Sequence, residues 1–596
     1  MILYHAITTY QLISVILYKN KYYKKEKSVL LLSESIVFKY PEYQKFLRYF
    51  DDIILIKITF RIYQSFKKDT KEYYENILKE NNLSISDFNE IFVGGAQMNF
   101  GIYLTENKIS FHYLEEAPGA LSRADHLKGI DFKLDPARGQ VSLRNGLYTG
   151  ENEVIKTVII NKYVQLPGFD VDKKIAVHIE SDINKEDYEH DDVISKDEEY
   201  DENQINFFEN EDSGQSDLVL LKDYYEHFDP VEELFNISDE ERTELLELFE
   251  VNIKIDIPEN SLLLLTLHFA NLKMMTFEEQ VLLYQLFADY FCEDYNLVFK
   301  PHPDDIMYYD ILFPEAQIIK EVFPSEFLPF ILKKEPEVFA TIASTSIFSL
   351  KNIYNKKILE FTPDYEKDFI FTHRYYIALK FINQLCNNHT VYSLGTNNEI
   401  LANFLSYGEF KNDGLNITYL SDIYIDENDN TNIENVFSQI KDNSVLIIDN
   451  ILKNSNVDFL ECVDNIVDYM KYIDNQSVII FLNSAQDFCF YDIFAKELWE
   501  HIIPIVVNKK AMRDDEFYSD TETEIIYLYT KNEEYKEMAK NIKIDKKLKY
   551  TGLEVAVNPY ETAEQLKIKV LEGILAATEK RLLYYINKEK ENNKNK

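Results

Sequence analysis

The stretch Ser261–His268, SLLLLTLH, is apolar at nearly every position until its last residue. A strand with one face in water alternates apolar and polar side chains, so a run without alternation needs cover on both faces. Helices that connect parallel strands supply such cover, and the run therefore calls for a layered α/β domain. The flanking sequence agrees. Residues 276–290, TFEEQVLLYQLFADY, read as a helix; NLVFK (296–300), VFATI (338–342) and KILEF (357–361) repeat the short aliphatic pattern. Strands alternating with helices make a Rossmann-like sheet, whose ligands bind beyond the carboxyl ends of the strands.

The same rhythm opens the chain. A short β-like start leads into a helical segment through residue 18, and strands are expected at Ser28–Leu32, Phe50–Thr59, Ile91–Gly95 and Ile109–Leu114, with a helix over Thr70–Glu80. This places a first Rossmann-like domain at residues 1–180. Gly94-Gly95 lacks the third glycine of a dinucleotide fingerprint and reads as a tight turn. Residues 181–214 hold fourteen Asp or Glu against two Lys, a solvated insertion. Ser238–Glu241 is a capping box that starts a connecting helix, so 181–250 joins the domains. The second domain spans 251–410. Strands at 417–420, 444–449, 477–482, 502–507 and 524–529, a helix at 457–473 and a long helix at 560–588 form a third α/β unit, 411–596, with no motif that names its chemistry.

With 63 Lys and Arg against 103 Asp and Glu, the formal charge of −40 excludes general affinity for nucleic acid. Four cysteines (Cys292, Cys386, Cys462, Cys489) have no paired spacing, so neither a zinc site nor a disulfide framework is expected. Met1 is followed by no basic leader, and no apolar run reaches the ~18 residues of a membrane span. A cytoplasmic protein is expected. Lys19, Lys21, Lys24, Lys25 and Lys27, with Tyr22-Tyr23, read as a solvated helix end; peripheral contact with an anionic membrane or a polyanionic glycan is the other reading.

Chemistry-bearing residues gather at strand ends. His302, with Ser344, Thr345 and Ser346, sits where a phosphate would be held in the second domain. Glu115-Glu116 ends a strand of the first. A carboxylate facing a phosphate site across a cleft suits group transfer to a hydroxyl: the carboxylate takes the acceptor proton, and imidazole and hydroxyls stabilise the departing phosphate. Neighbouring residues on a strand point oppositely, so only one of Glu115 and Glu116 should face the cleft. His5, Thr8, Thr9 and His268 also lie at strand ends. An anionic donor requires local positive charge, for which Lys300 and Arg123 are the candidates.

Leu114-Glu-Glu-Ala-Pro-Gly119, Lys300-Pro-His-Pro303 and Ala343-Ser-Thr-Ser346 resemble, in order and spacing, the three short motifs of the bacterial lipooligosaccharide sialyltransferases and capsular polysialyltransferases. The resemblance covers roughly residues 1–405. It implies two Rossmann-like domains in a GT-B arrangement and inverting transfer of sialic acid from CMP-sialic acid to a glycan hydroxyl, with no metal or cofactor. On this resemblance an acidic residue of the first motif is the base, Glu115 by position with Glu116 next to it. His302 contacts the CMP phosphate or acts as acid. Ser344, Thr345 and Ser346 bind that phosphate; Lys300, Pro303 and Gly119 of the same motifs, and His268 by its strand-end position, are expected around the donor. Ala117-Pro118 separates the acidic pair from Gly119, where the family has glycine directly. Two rivals remain: a CDP-polyol-dependent polymerase of the teichoic-acid type, and a non-catalytic GT-B-like binding protein.

Overall fold

The computed structural model describes residues 1–57, 70–118, 120–121, 124–150, 152–161, 175–177, 218–220, 225–251, 253–351, 354, 357–361, 365–386, 388–394, 398–420, 437–449, 459–482, 496–511 and 522–557. The first sheet takes strands β1 (Ile2–Ala6), β2 (Ser28–Ser33), β3 (Asp52–Ile56), β4 (Glu90–Gly94), β5 (Phe111–Leu114) and β6 (Ile155–Ile160). A short antiparallel pair, β7 (Ile175–Val177) and β8 (Leu218–Leu220), stands apart. Strand β9 (Tyr225–His227) then completes the first sheet, in the order β3-β2-β1-β4-β5-β6-β9, every pair parallel. The 181–250 stretch is therefore more than a connector, because β9 pairs along β6.

The second sheet is β10 (Ser261–Leu265), β11 (Asn296–Lys300), β12 (Gln317–Ile318), β13 (Val338–Ile342) and β14 (Lys357–Phe361), in the order β12-β11-β10-β13-β14 and wholly parallel. All five residues of β10 are buried, as its lack of alternation requires. The third sheet has eight strands: β15 (Thr390–Leu394), β16 (Ile417–Tyr419), β17 (Ser444–Ile448), β18 (Val478–Phe481), β19 (Ile502–Ala511), β20 (Glu522–Thr530), β21 (Asp545–Lys547) and β22 (Leu553–Val557). Its boundary is corrected: β15 pairs with β16 and β17, so the third unit begins before residue 411.

Local signals account for the helix starts. Thr8 and Gln11 form a capping box for helix Thr9–Tyr22, Ser238 and Glu241 for helix Asp239–Leu248, and Thr276 and Glu279 for helix Phe277–Phe291. The acidic stretch 181–214 and the expected helix at 560–588 lie outside the described residues.

One apolar cluster runs from Leu12 and Phe92 of the first domain to Leu263, Val298 and Phe339 of the second. Phe249, the C-cap of helix Asp239–Leu248, fills the join: its ring lies 5.3 Å from each of Tyr40, Phe46 and Phe327. Each fully buried side chain of this size contributes about 1.5–3 kcal/mol. A second cluster continues from Leu264 and Phe299 to Val445, Val478 and Val507 of the third sheet. The fold is thus α/β: two Rossmann-like domains joined by one apolar cluster, and a further α/β unit packed against the second. No helix among the described residues is long and apolar enough to cross a membrane.

Candidate active site

The order of the first sheet reverses between β1 and β4, and that of the second between β10 and β13. Such switch points open a crevice at the carboxyl ends of the strands. In the first domain the crevice is floored by Gly94 and Gly95. A side chain at Gly94 would meet the Gln11 side chain at 2.7 Å, and Gly95 has φ +66°. The glycine pair thus serves close packing and a turn.

Past β5 the two carboxyls part. Glu115 is buried; its Oε1 accepts from the Leu121 amide at 3.3 Å and its Oε2 from the Asn161 amide at 3.0 Å. Glu116 is partly exposed, and its Oε2 accepts from Gln97 Nε2. Its carboxyl is pushed up to about 7, first by burial and then by the nearby charge of Asp131, against the opposing effects of Gln97 and Arg138. Asp131 is itself held by Arg138 Nη2 at 2.6 Å and the Tyr148 hydroxyl at 3.0 Å. Ser142 donates to the Gln97 carbonyl at 2.8 Å, so helix Pro136–Arg144 sets the position of Gln97.

His302 follows β11 by two residues. Its backbone N–H donates to Thr266 Oγ1 at 3.0 Å, and its Nδ1 accepts from the Asp304 amide at 3.1 Å. With Nδ1 an acceptor, Nε2 carries the proton. Burial, then the charges of His268, Lys39 and Lys300, hold its pKa well below the usual imidazole range. Asp305 braces this turn, accepting from Gln280 at 3.2 Å, the Met307 amide at 3.1 Å and the Tyr309 hydroxyl at 2.5 Å.

After β13, Ala343 adopts φ +62°, rarely taken by a residue with a Cβ. This turn swings Ser344, Thr345 and Ser346 into the start of helix Ser346–Lys351. The Ser344 amide donates to Thr341 Oγ1 at 2.8 Å; Ser344 is buried, while Thr345 and Ser346 are half-buried.

A run of bonded contacts links the two edges. The Glu116 carbonyl meets Gln11 Nε2 at 3.5 Å, Gln11 Oε1 accepts from the Ile7 amide at 2.8 Å, and the Ile7 carbonyl accepts from Ser35 Oγ at 3.3 Å. Ser35 belongs to helix Glu34–Lys39, whose Lys39 pairs across the cleft with Asp304 at 3.1 Å. Lys39 is a cation at this opening, and it was not among the expected residues. Lys300 is instead buried, its ammonium 4.5 Å from the centre of the Phe323 ring, and burial lowers it to about 8. Pro303 is exposed beside His302. Gly119 and Arg123 lie outside the described residues. His5 is buried, bonded to the Gly94 carbonyl at 3.1 Å and lowered to about 4 by burial, which makes it part of the floor.

His268, His302 and Asp304 bring ligand atoms within 4.8 Å of one another. The two imidazoles are stacked, and His302 Nδ1 already accepts from the Asp304 amide. The early lysine cluster lines a cavity of about 490 Å³ at the opposite, amino end of the first sheet. There Lys21 pairs with Glu233 at 2.6 Å and Lys24 with Glu241 at 3.0 Å.

Gln97, Asp131, Arg138 and Lys39 escaped the sequence reading because each acts through a non-local partner. The one local signal was the Asp135-Pro136 helix start that buries Arg138.

No protein-family model matches the chain, and no curated protein matches it. Among solved structures it is similar to the alpha/beta-galactoside alpha-2,3-sialyltransferase of the luminous marine bacterium Photobacterium phosphoreum, at 11% identity and a TM-score of 0.33, over 71% of this chain and 98% of that one. It is also similar to the glycotransferase of kitacinnamycin, at 9% identity and a TM-score of 0.28, over 62% of this chain and 89% of that one. Overlaps this partial add nothing to the chemistry of the site.

Proposed function

We propose that the chain is a glycosyltransferase that moves sialic acid from CMP-sialic acid to a hydroxyl of a surface glycan, with inversion and without a metal. What supports this reading is the run of contacts from the Glu116 carbonyl through Gln11, Ile7 and Ser35 to helix Glu34–Lys39, whose Lys39 pairs with Asp304, two residues from His302. Glu116 takes the proton from the acceptor hydroxyl as the acceptor oxygen bonds to the anomeric carbon. The bond from that carbon to the phosphate oxygen breaks, and its electron pair leaves with CMP. A base with a pKa near the working pH contributes about 10²–10⁴-fold. His302 Nε2–H donates to a phosphate oxygen, and the hydroxyls of Thr345 and Ser346 hold others. Lys39 supplies positive charge at the donor entrance. Glu115, occupied by two backbone amides, anchors the loop that carries Glu116.

The test is CMP release from CMP-sialic acid with glycan acceptors in the presence of a chelator, comparing the wild-type chain with Glu116→Gln. Release by the wild type and its loss in the variant support the reading. Turnover of CDP-glycerol in place of CMP-sialic acid, or undiminished release by the variant, overturns it.

A further inference from the structure

The cavity of about 490 Å³ at the amino end of the first sheet has no part in the proposed transfer. One side of it comes from the first domain: the end of helix Thr9–Tyr22, the turn that leads into β2, and residues 47–51 ahead of β3. The other side is the connecting helix Asp239–Leu248, through Glu241 and Glu244.

Cations crowd this hollow although the whole chain carries a charge of −40. Lys19 lines it and is only 5% exposed. Its ammonium has no hydrogen bond and no ion pair with any described residue. Asp51 acts on it from beyond pairing distance, and one oxygen of that carboxylate is taken by the Ser28 amide at 2.8 Å. The carboxyl end of a helix favours a nearby cation. Lys21 and Lys24 obtain that benefit in the open, paired with Glu233 and Glu241. Burial of Lys19 needs another reason, because an ammonium out of water without a partner is costly. An anion inside the cavity removes that cost.

The rim adds to this charge. Lys25 and Lys27 are exposed and have no ion pair with a described residue. Glu26 and Asp51 are the only unpaired carboxylates among the lining residues, so the three free lysines leave the hollow positive. Lys24 and Arg48 are held by Glu241 and Glu244, but with side chains 66% and 57% exposed. Pairs this exposed contribute little, so both cations can turn to an incoming anion. The rest of the wall, Leu47, Tyr49 and the buried Phe50, is apolar. The volume falls within the roughly 300–1,000 Å³ of small-molecule pockets, so there is room for an organic group beside the charge. Several cations around one hollow match several negative charges held close together. A diphosphate carries them on two adjoining phosphorus centres, whereas a carboxylate offers one charge.

We propose that this cavity is a second ligand site, for a small molecule that bears a diphosphate. Lys19 meets the diphosphate at the floor, Lys25 and Lys27 meet it at the rim, and the organic part lies against Leu47 and Tyr49. No residue of the cleft lines this site, and it does not depend on the activity proposed there.

Hydrogen–deuterium exchange of the full-length chain, titrated with pyrophosphate at physiological ionic strength, tests this. Pyrophosphate should slow exchange at 19–27 and 47–51, and citrate, whose charges are spread over a larger frame, should act about tenfold more weakly or less. Lys19→Met keeps a long apolar stem without the charge and should raise the midpoint of that titration about tenfold or more. His302→Ala, in the cleft, should leave it unchanged. No slowing at millimolar pyrophosphate, equal slowing by citrate, an unchanged midpoint in a folded Lys19→Met chain, or an equal shift in His302→Ala overturns the proposal. Should Lys19→Met not fold, the exposed pair Lys25→Ala and Lys27→Ala decides it: a raised midpoint supports the site, and an unchanged one removes it.

Discussion

His302 lies face to face on His268, ring centres 4.0 Å apart and planes 27° apart. The stack fixes the imidazole plane while the Asp304 amide fixes its tautomer, so Nε2–H points one way with little freedom left. His302→Ala should lower kcat for CMP release by about 10²–10³, the usual effect of removing one preorganised donor. His268→Phe, which keeps a ring in the stack, should be milder than His268→Ala. Steady-state kinetics on the three variants checks the order.

Glu115 and Glu116 should separate into stability and rate. Glu115→Gln turns an NH2 group toward one of the two backbone amides that the carboxyl oxygens now accept from, and should cost about 1–3 kcal/mol of stability. Glu116→Gln should not lower the thermal midpoint, and at pH 8 should raise it, because the folded state holds the Glu116 proton more tightly than the unfolded chain, while kcat/KM falls by about 10²–10⁴. Melting curves set beside CMP-release rates would show whether the two effects fall on the residues as assigned.

The pH profile should report Glu116. The base acts in its charged form, so kcat/KM should rise with pH through about 7. Asp131 is the second cause of that elevation. Asp131→Asn removes the repelling charge, favours ionised Glu116 and should move the rising limb to lower pH. A limb unmoved in Asp131→Asn would mean that another group titrates.

Glu326 is buried between the domains, and burial followed by the charge of Asp229 pushes its carboxyl up to about 7. The folded state therefore holds its proton more tightly than the unfolded chain, whose carboxyl titrates near 4.3. Its contribution to stability is full below about 4.3 and is lost as pH rises through about 7. Glu326→Gln should stabilise the protein by about 1–3 kcal/mol at pH 8 and leave it nearly unchanged at pH 4. Denaturant melts at the two pH values provide the comparison.

Lys39 and Asp304 pair across the cleft with side chains 24% and 51% exposed. An exposed pair contributes about 0.2–1 kcal/mol, far less than the apolar cluster beneath it. Lys39→Ala should hardly move the thermal midpoint but should raise KM for an anionic donor several-fold, more at low salt than at high. Equal KM values at both salt concentrations would remove Lys39 from the donor entrance.

Element identity was legible in the chain itself. Aliphatic runs such as SLLLLTLH, and capping boxes at Thr276 and Ser238, are local signals that state burial and helix start directly. The strand-end positions of His302 and Ser344–Ser346 followed from them. Partnership was decided only by the tertiary structure. Glu115 and Glu116 are adjacent and chemically alike; their different fates come from Asn161 and Leu121 on one side and Gln97 and Asp131 on the other. Lys300 looked like a cleft cation but faces Phe323, because alternation along β11 sends it to the same side as the buried Val298. Strand β9 and the reversed β20 carry no sequence mark of where they pair. Pairing and ionisation depend on what distant segments bring to the same place, and burial of that kind is not written in any one stretch of chain.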